Sequence, residues 1–391
     1  MTEPIAAPTD PATFLADMGL FRGAAQHENF CRMARTLPSS ELAPSARPYQ
    51  WPIGEPLELP DHHEFGGRPR SSEDFFRETD TAALLVLHAG RIRHERYALT
   101  GGQAVQWISM SVAKSFISAL VGIAVAEGHI RGIEEPISAY VPVERGSAYD
   151  GVSIKHVLQM SSGARWNEDY SDPASDVARL NAASAGYGTY DELVATMTRA
   201  AEPGRVCRYS SADTQALGSL LVHATGRSIT EYMREKLCEP LGSTSPGYWL
   251  LDGAGREAAF GGLNLTARDF AKLGELYRND GRWQGEQIVP QAWVRDSVRA
   301  DAAHLAPGRP IVGTHPIDFG YGYQWWLPAS TRGEFCAIGV YNQFVYVDPT
   351  AEVVIVKLSA NRAYGTIADE SVNREIETMA FFRAIVAAVH R

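Results

Sequence analysis

The chain has 391 residues, 45% hydrophobic and 21% charged, with 46 acidic against 36 basic side chains and a formal net charge of -10. This is the make-up of an ordinary globular protein, long enough for two lobes or one large domain with an insertion. The acidic balance without a long Lys/Arg cluster argues against nucleic acid as a partner, and no apolar run is long enough to cross a bilayer.

The first residues, Met1-Thr-Glu-Pro-Ile-Ala-Ala-Pro, have neither a basic start nor an apolar core, so no secretory signal is expected and the protein reads as cytoplasmic. Four scattered cysteines (Cys31, Cys207, Cys238, Cys336) without C-x-x-C spacing suit reduced thiols. Residues 1–70 are proline-rich with little periodicity and are expected to wrap the body as an irregular arm. Within them His62-His63-Glu64 lacks the spacing that places two metal ligands on one helix face, so a solvated loop is expected and no metal. Two strand-like runs around His88-Ala-Gly90 then predict a hairpin over 82–97.

Next comes Ser111-Val-Ala-Lys114, followed by Phe116–Ala126, apolar on nearly every face and therefore a buried helix. Lys114 is one of only five lysines, and a lysine at the head of a buried helix needs a reason. Residues three apart share a helix face, so the amine is expected to reach the serine hydroxyl and take its proton. The positive end of the helix dipole would favour an oxyanion there and disfavour a protonated lysine. Gly128 ends this helix. Helical patterns follow at 153–160, 190–199, 211–225 and 228–237. Within this region Tyr209, at the start of an apolar helix, is the best candidate for a further proton carrier. Gly253–Ala258 has part of a dinucleotide fingerprint but no βαβ context and reads as a turn. Strand-like runs return at 323–327, 335–340, 343–347 and 353–358, and a closing helix is expected from Ser371 to Val389.

Strands at both ends with helices between them predict an α+β fold: a sheet domain from 71–125 and 271–391, flanked by helices, with a mainly helical lobe, 126–270, inserted. The site would lie between the two.

Ser111–Lys114 with Tyr209-Ser210-Ser211 resembles the serine beta-lactamase and penicillin-binding protein superfamily, with the order and separation of its class C and esterase branch. That resemblance implies a beta-lactamase-like fold, an antiparallel sheet with an inserted all-α lobe. Its third motif is matched by Cys336-Ala-Ile-Gly-Val340, where Gly339 stands for the motif glycine and Ala337 replaces the lysine that would bind a β-lactam or peptide carboxylate. Asn167-Glu-Asp-Tyr170, Gly261-Gly262, Thr266-Ala-Arg-Asp269 and Gln324-Trp-Trp326 look like the 6-aminohexanoate-dimer hydrolases, which cleave linear nylon oligomers and carboxylic esters. The resemblance implies attack by Ser111, proton uptake by Lys114, relay by Tyr209, and contact of Tyr170 with the leaving-group nitrogen. It implies an oxyanion hole from the backbone N–H groups of Ser111 and Val340, and substrate contacts at Asn181, Gly339, Tyr341 and Trp326. Asn181 is neutral where an acid would suit a substrate ammonium, although Asp176 lies nearby. Trp325, Trp326, Trp166, Tyr187 and Tyr341 are candidates for an apolar pocket.

The expected activity is that of a cofactor-free serine hydrolase acting on a small linear amide or ester through an acyl-enzyme at Ser111, with a homodimer compatible with the sequence. A carboxylesterase without amidase activity, a beta-lactamase or D-alanyl peptidase, and a non-catalytic ligand sensor are the alternatives.

Overall fold

The computed structural model describes residues 11–170, 172–313, 316–367 and 372–389. A seven-stranded antiparallel sheet takes its strands in the order Phe319–Tyr321, Trp326–Pro328, Phe335–Gly339, Gln343–Asp348, Val353–Ser359, Thr81–His88 and Arg91–Tyr97. The N-terminal hairpin thus adds to the C-terminal strands, with Leu84 opposite Lys357 and Val86 opposite Ile355. Strand periodicity sends alternate residues to opposite faces. Leu85, Leu87, Val345, Val347, Val354 and Val356 enter one core cluster, and Leu84, Val86, Phe344, Tyr346, Val353 and Ile355 the other.

Both faces are covered, which explains why these strands read as continuous apolar runs rather than alternating ones. The helix Ala267–Arg278 lies on the first face so closely that a Cβ on Gly274 would stand 2.6 Å from Val354 Cγ1. The helix Glu375–Val389 covers the second with Phe381, Phe382 and Ile385. The expected start of that helix at Ser371 falls outside the described residues.

A second, four-stranded antiparallel sheet was not anticipated. Its order is Ser39–Leu42, Gly247–Leu250, Leu263–Leu265 and Trp107–Ile108. One edge strand comes from the proline-rich segment, so that segment is less irregular than its composition suggests. The other edge strand leads directly into Ser111. The helix Ala113–Ala126 packs beside Ser211–Thr225, both almost fully buried. The remaining helices of the region are short, among them Asp176–Ser184, which sequence periodicity did not show.

Other expectations shift in detail. His62–Phe65 is a strand, and His63 is buried against Phe75 and Phe381 with Nε2 3.3 Å from Glu377 Oε1, so the solvated-loop reading fails for it. Residues 253–256 do form a turn, closed by Asp252 Oδ1 accepting from the backbone of Ala254 and Arg256. Gln324 adopts a left-handed φ of 62°, so the strand expected from 323 begins only at Trp326.

Candidate active site

The Trp107–Ile108 strand, anchored by Ser109 N donating to Leu263 O at 2.7 Å, delivers the chain to Met110. Met110 has a φ of 45°, a conformation that a side chain of this size adopts at a cost. The turn Met110–Val112 then presents Ser111 at the head of the buried helix, with 9% of its surface exposed.

Gly339 ends its strand directly against this turn. A Cβ there would lie 2.7 Å from Ser109 O and 3.0 Å from Ser111 N, so only glycine lets the two backbones approach. The chain then turns through Val340, Tyr341 and Asn342, the last two at φ of 64° and 65°. Gln343 Nε2 donates to Val340 O at 3.2 Å, and Gln343 Oε1 accepts from Trp107 Nε1 at 3.1 Å. The turn after Gly339 and the approach to Ser111 therefore share one brace.

Lys114 is 1% exposed. Its Nζ donates to Phe260 O at 2.8 Å and to Ser211 Oγ at 3.1 Å. A carbonyl can only accept, and the Ser211 hydroxyl already gives its own proton to Glu168 Oε1 at 2.7 Å. A neutral amine has two N–H donors, both used here, so its lone pair is left for a third direction. Nζ lies 5.2 Å from the centroid of the Tyr209 ring. Burial pushes the Lys114 pKa down to about 8, against the opposing charges of Glu168 and Asp213.

Lys114 Nζ finds its hydrogen-bond partners in Ser211 and Phe260, and the Ser111 side chain lies near enough to the Tyr209 phenol to lower its pKa. Tyr209 is held by its backbone N–H to Ile311 O at 2.9 Å and by ring stacking on Trp326 at 5.1 Å. Burial and then the Glu168 charge raise its pKa well above the ordinary value, while the Ser111 hydrogen bond opposes them. A phenol so shifted stays protonated near neutrality and can donate or pass a proton.

Glu168 was passed over in the sequence, where a carboxylate in a polar loop reads as solvated. Besides the Ser211 hydroxyl and N–H, it accepts from Trp166 Nε1 and, at 2.7 Å, from Tyr170 Oη. No local pattern marked it, because its link to Lys114 runs through Ser211, far away in the sequence. Asp213, fully buried where Glu168 is only half-buried, is the second carboxyl near Lys114. It accepts from Ser162 Oγ at 2.7 Å and Tyr149 Oη at 2.9 Å, and burial raises it to about 7.

The other expected residues divide. Tyr170 does come beside the Lys114–Glu168 group, and its ring stacks on Phe21 at 4.3 Å. Asn181 is half-buried on the helix Asp176–Ser184. The next turn carries Ser184, bonded to Tyr190, whose ring contacts that of Phe260. Trp326 backs Tyr209, but Trp325 turns into the core against Tyr277 and Phe335. Tyr187 is 68% exposed at the surface. Tyr341 is 1% exposed, its ring packed on Phe21, Phe30 and Tyr364, so it braces the turn after Gly339 instead of facing a substrate. Ala337 is a buried methyl in the core.

A mixed sheet-and-helix body with a serine-bearing helix beneath a glycine-tight strand end defines a beta-lactamase-like hydrolase. The beta-lactamase family model matches residues 73–376. The 6-aminohexanoate-dimer hydrolase of Paenarthrobacter ureafaciens is 32% identical over 296 residues, 74% of each chain. The chain belongs to the beta-lactamase family. Among solved structures, a Bacillus anthracis protein assigned as a 6-aminohexanoate-dimer hydrolase is similar with a TM-score of 0.82 and 23% identity, over 98% of this chain and 99% of that one. EstCE1, a hydrolase with promiscuous acyltransferase activity, gives 0.62 and 19%, over 82% of this chain and 96% of its own. These structural likenesses speak for the fold. No helix among the described residues is long and apolar enough to cross a membrane.

Proposed function

We propose that this protein is a serine hydrolase that cleaves linear amides of the 6-aminohexanoate-oligomer type, and carboxylic esters, through an acyl-enzyme at Ser111. The observation that carries the reading is the close approach of Gly339 to the Ser111 nitrogen, with Lys114 Nζ buried 5.2 Å from the Tyr209 ring.

In acylation, Ser111 Oγ attacks the substrate carbonyl carbon and its proton passes by way of the Tyr209 phenol to the neutral Lys114 amine. The N–H groups of Ser111 and Val340 receive the negative oxygen of the tetrahedral intermediate, an interaction of about 2.7–4 kcal/mol for one well-placed donor. The intermediate collapses as the bond to the leaving nitrogen or oxygen breaks, and Tyr209 passes the proton held by Lys114 to that atom. Tyr170 would donate to or accept from the leaving amine. Water then attacks the acyl ester, its proton following the same path, and frees Ser111. This chemistry requires no metal or organic cofactor.

A carboxylesterase without amidase activity is the second reading, favoured by the neutral Asn181 where an acid would hold a substrate ammonium. Beta-lactam and D-alanyl peptide substrates are disfavoured by Ala337. The test is the ratio of hydrolysis rates for the linear 6-aminohexanoate dimer and p-nitrophenyl butyrate, with Ser111→Ala as the control for both. A serine-dependent amide rate supports the proposal, and ester turnover without amide cleavage selects the second reading. Failure of Ser111 to react with an activated ester or a phosphonate would leave a ligand sensor.

A further inference from the structure

We infer that Phe21, on the N-terminal segment, is a positioning residue of the site: it clamps Tyr170 to the turn that follows Gly339 and thereby governs cleavage of amides relative to esters. The ring of Phe21 stacks on Tyr170 at 4.3 Å and 26°, and meets Tyr341 at 5.0 Å. Its backbone N–H donates to Tyr341 Oη at 2.7 Å. One residue thus joins the segment that carries Tyr170 and Glu168 to the turn that carries Val340.

Two features show that the position is built for this ring. Phe21 has a φ of 60°, a left-handed conformation that is an outlier for a bulky residue and persists only where its surroundings hold it. Opposite it stands Gly365, where a Cβ would lie 2.8 Å from Phe21 Cδ1. The backbone strain, the space left by Gly365 and the Tyr341 hydrogen bond all act to hold the ring against Tyr170. On the other side Tyr170 Oη is fixed by Glu168, which is linked through Ser211 to Lys114. Displacement of the ring would leave the Tyr170 ring without its stacking partner and held at its hydroxyl by Glu168, while Ser111, Tyr209 and the turn after Gly339 keep their own contacts.

The effect on selectivity rests on the proposed amide and ester hydrolysis, because an amine leaves poorly without a positioned partner whereas p-nitrophenolate leaves unaided. The experiment compares Phe21→Ala, Phe21→Gly and Phe21→Tyr. Glycine accepts the left-handed backbone, so Phe21→Gly removes the ring while relieving the strain and serves if Phe21→Ala folds poorly. Steady-state rates on the linear 6-aminohexanoate dimer and p-nitrophenyl butyrate are read beside hydrogen exchange of segments 166–170 and 340–342. We expect the ring-less variants to lose about tenfold in amide kcat with ester kcat nearly unchanged. Exchange at 166–170 should rise, and Phe21→Tyr should restore both. An unchanged ratio, or equal loss on both substrates, overturns the role in selectivity. If the wild-type protein cleaves neither substrate, the hydrolase reading fails and so does the selectivity role, while unchanged exchange at 166–170 in both variants separately overturns the clamp.

Discussion

Gly339 stands so close to Ser111 that a methyl group on its Cα would lie 3.0 Å from the Ser111 nitrogen. The proposed oxyanion hole depends on this approach, since Val340 N–H can share an oxygen with Ser111 N–H only if the two backbones nearly touch. Gly339→Ala should therefore lower kcat about 100-fold on amide and ester alike, as loss of one donor does. A wild-type rate in a correctly folded Gly339→Ala protein would remove Val340 from the oxyanion hole.

Tyr170 offers a test that separates leaving groups. In Tyr170→Phe the ring still stacks on Phe21, but the hydrogen bond to Glu168 and any contact with a leaving nitrogen are gone. Amide turnover should fall by about tenfold or more and ester turnover by much less, because one hydrogen bond to a charged group is worth about 1.5–3 kcal/mol. Equal losses on the two substrates would take the leaving-group role away.

Lys114 must be neutral to act as a base, and burial has brought its pKa down to about 8. Its active form is present above that value and lost below it, so kcat/KM should rise with pH and level off above about 8. The Glu168 charge opposes the downward shift. Removing it in Glu168→Gln should move the rising limb to lower pH, even though the variant loses hydrogen bonds to Ser211 and Tyr170 that lower its maximal rate. A limb that stays in place, or moves up, would show that Lys114 is not the group titrating.

Away from the site, Glu377 on the closing helix ties down the His62–Phe65 strand region. It meets His63 at 3.3 Å, Arg70 at 3.2 Å and Arg374 at 2.7 Å. Its burial would raise the carboxyl pKa, but the hydrogen bonds from His63 and Arg374 and the charges of Arg374 and Arg70 outweigh it and hold the value at about 2. A depressed carboxyl stabilises the fold above its ordinary pKa and loses that contribution as pH falls toward the folded value. Glu377→Gln should lower the melting temperature at neutral pH and flatten the fall in stability between about pH 4.5 and 2. An unchanged acid-unfolding profile would count against this network.

Much of the core of the site could be read without a structure because it is local. Ser111 and Lys114 are three residues apart on an apolar helix, and the helix Ser211–Thr225 follows Tyr209 with its N-cap Ser210 in place. Repeating apolar patterns also marked the hairpin of 82–97 and the strands that join it. The second sheet escaped notice because its strands are two to four residues long, below the length at which alternation can be recognised.

What the sequence by itself determined was the candidate serine, lysine and tyrosine, since side-chain spacing along regular elements and the buried character of the helix mark them out. Only the tertiary structure decided which groups surround them. Glu168, Ser211 and Phe21 come from three separate stretches of chain, and nothing in their local patterns brings a loop carboxylate beside a buried amine or an arm phenylalanine onto Tyr170. The same holds for the aromatics: Trp325 and Trp326 are neighbours in sequence, but adjacent residues point to opposite sides, so one fills the core and the other supports Tyr209. Proximity of this kind is set by packing of distant segments against one another, which neither composition nor periodicity encodes.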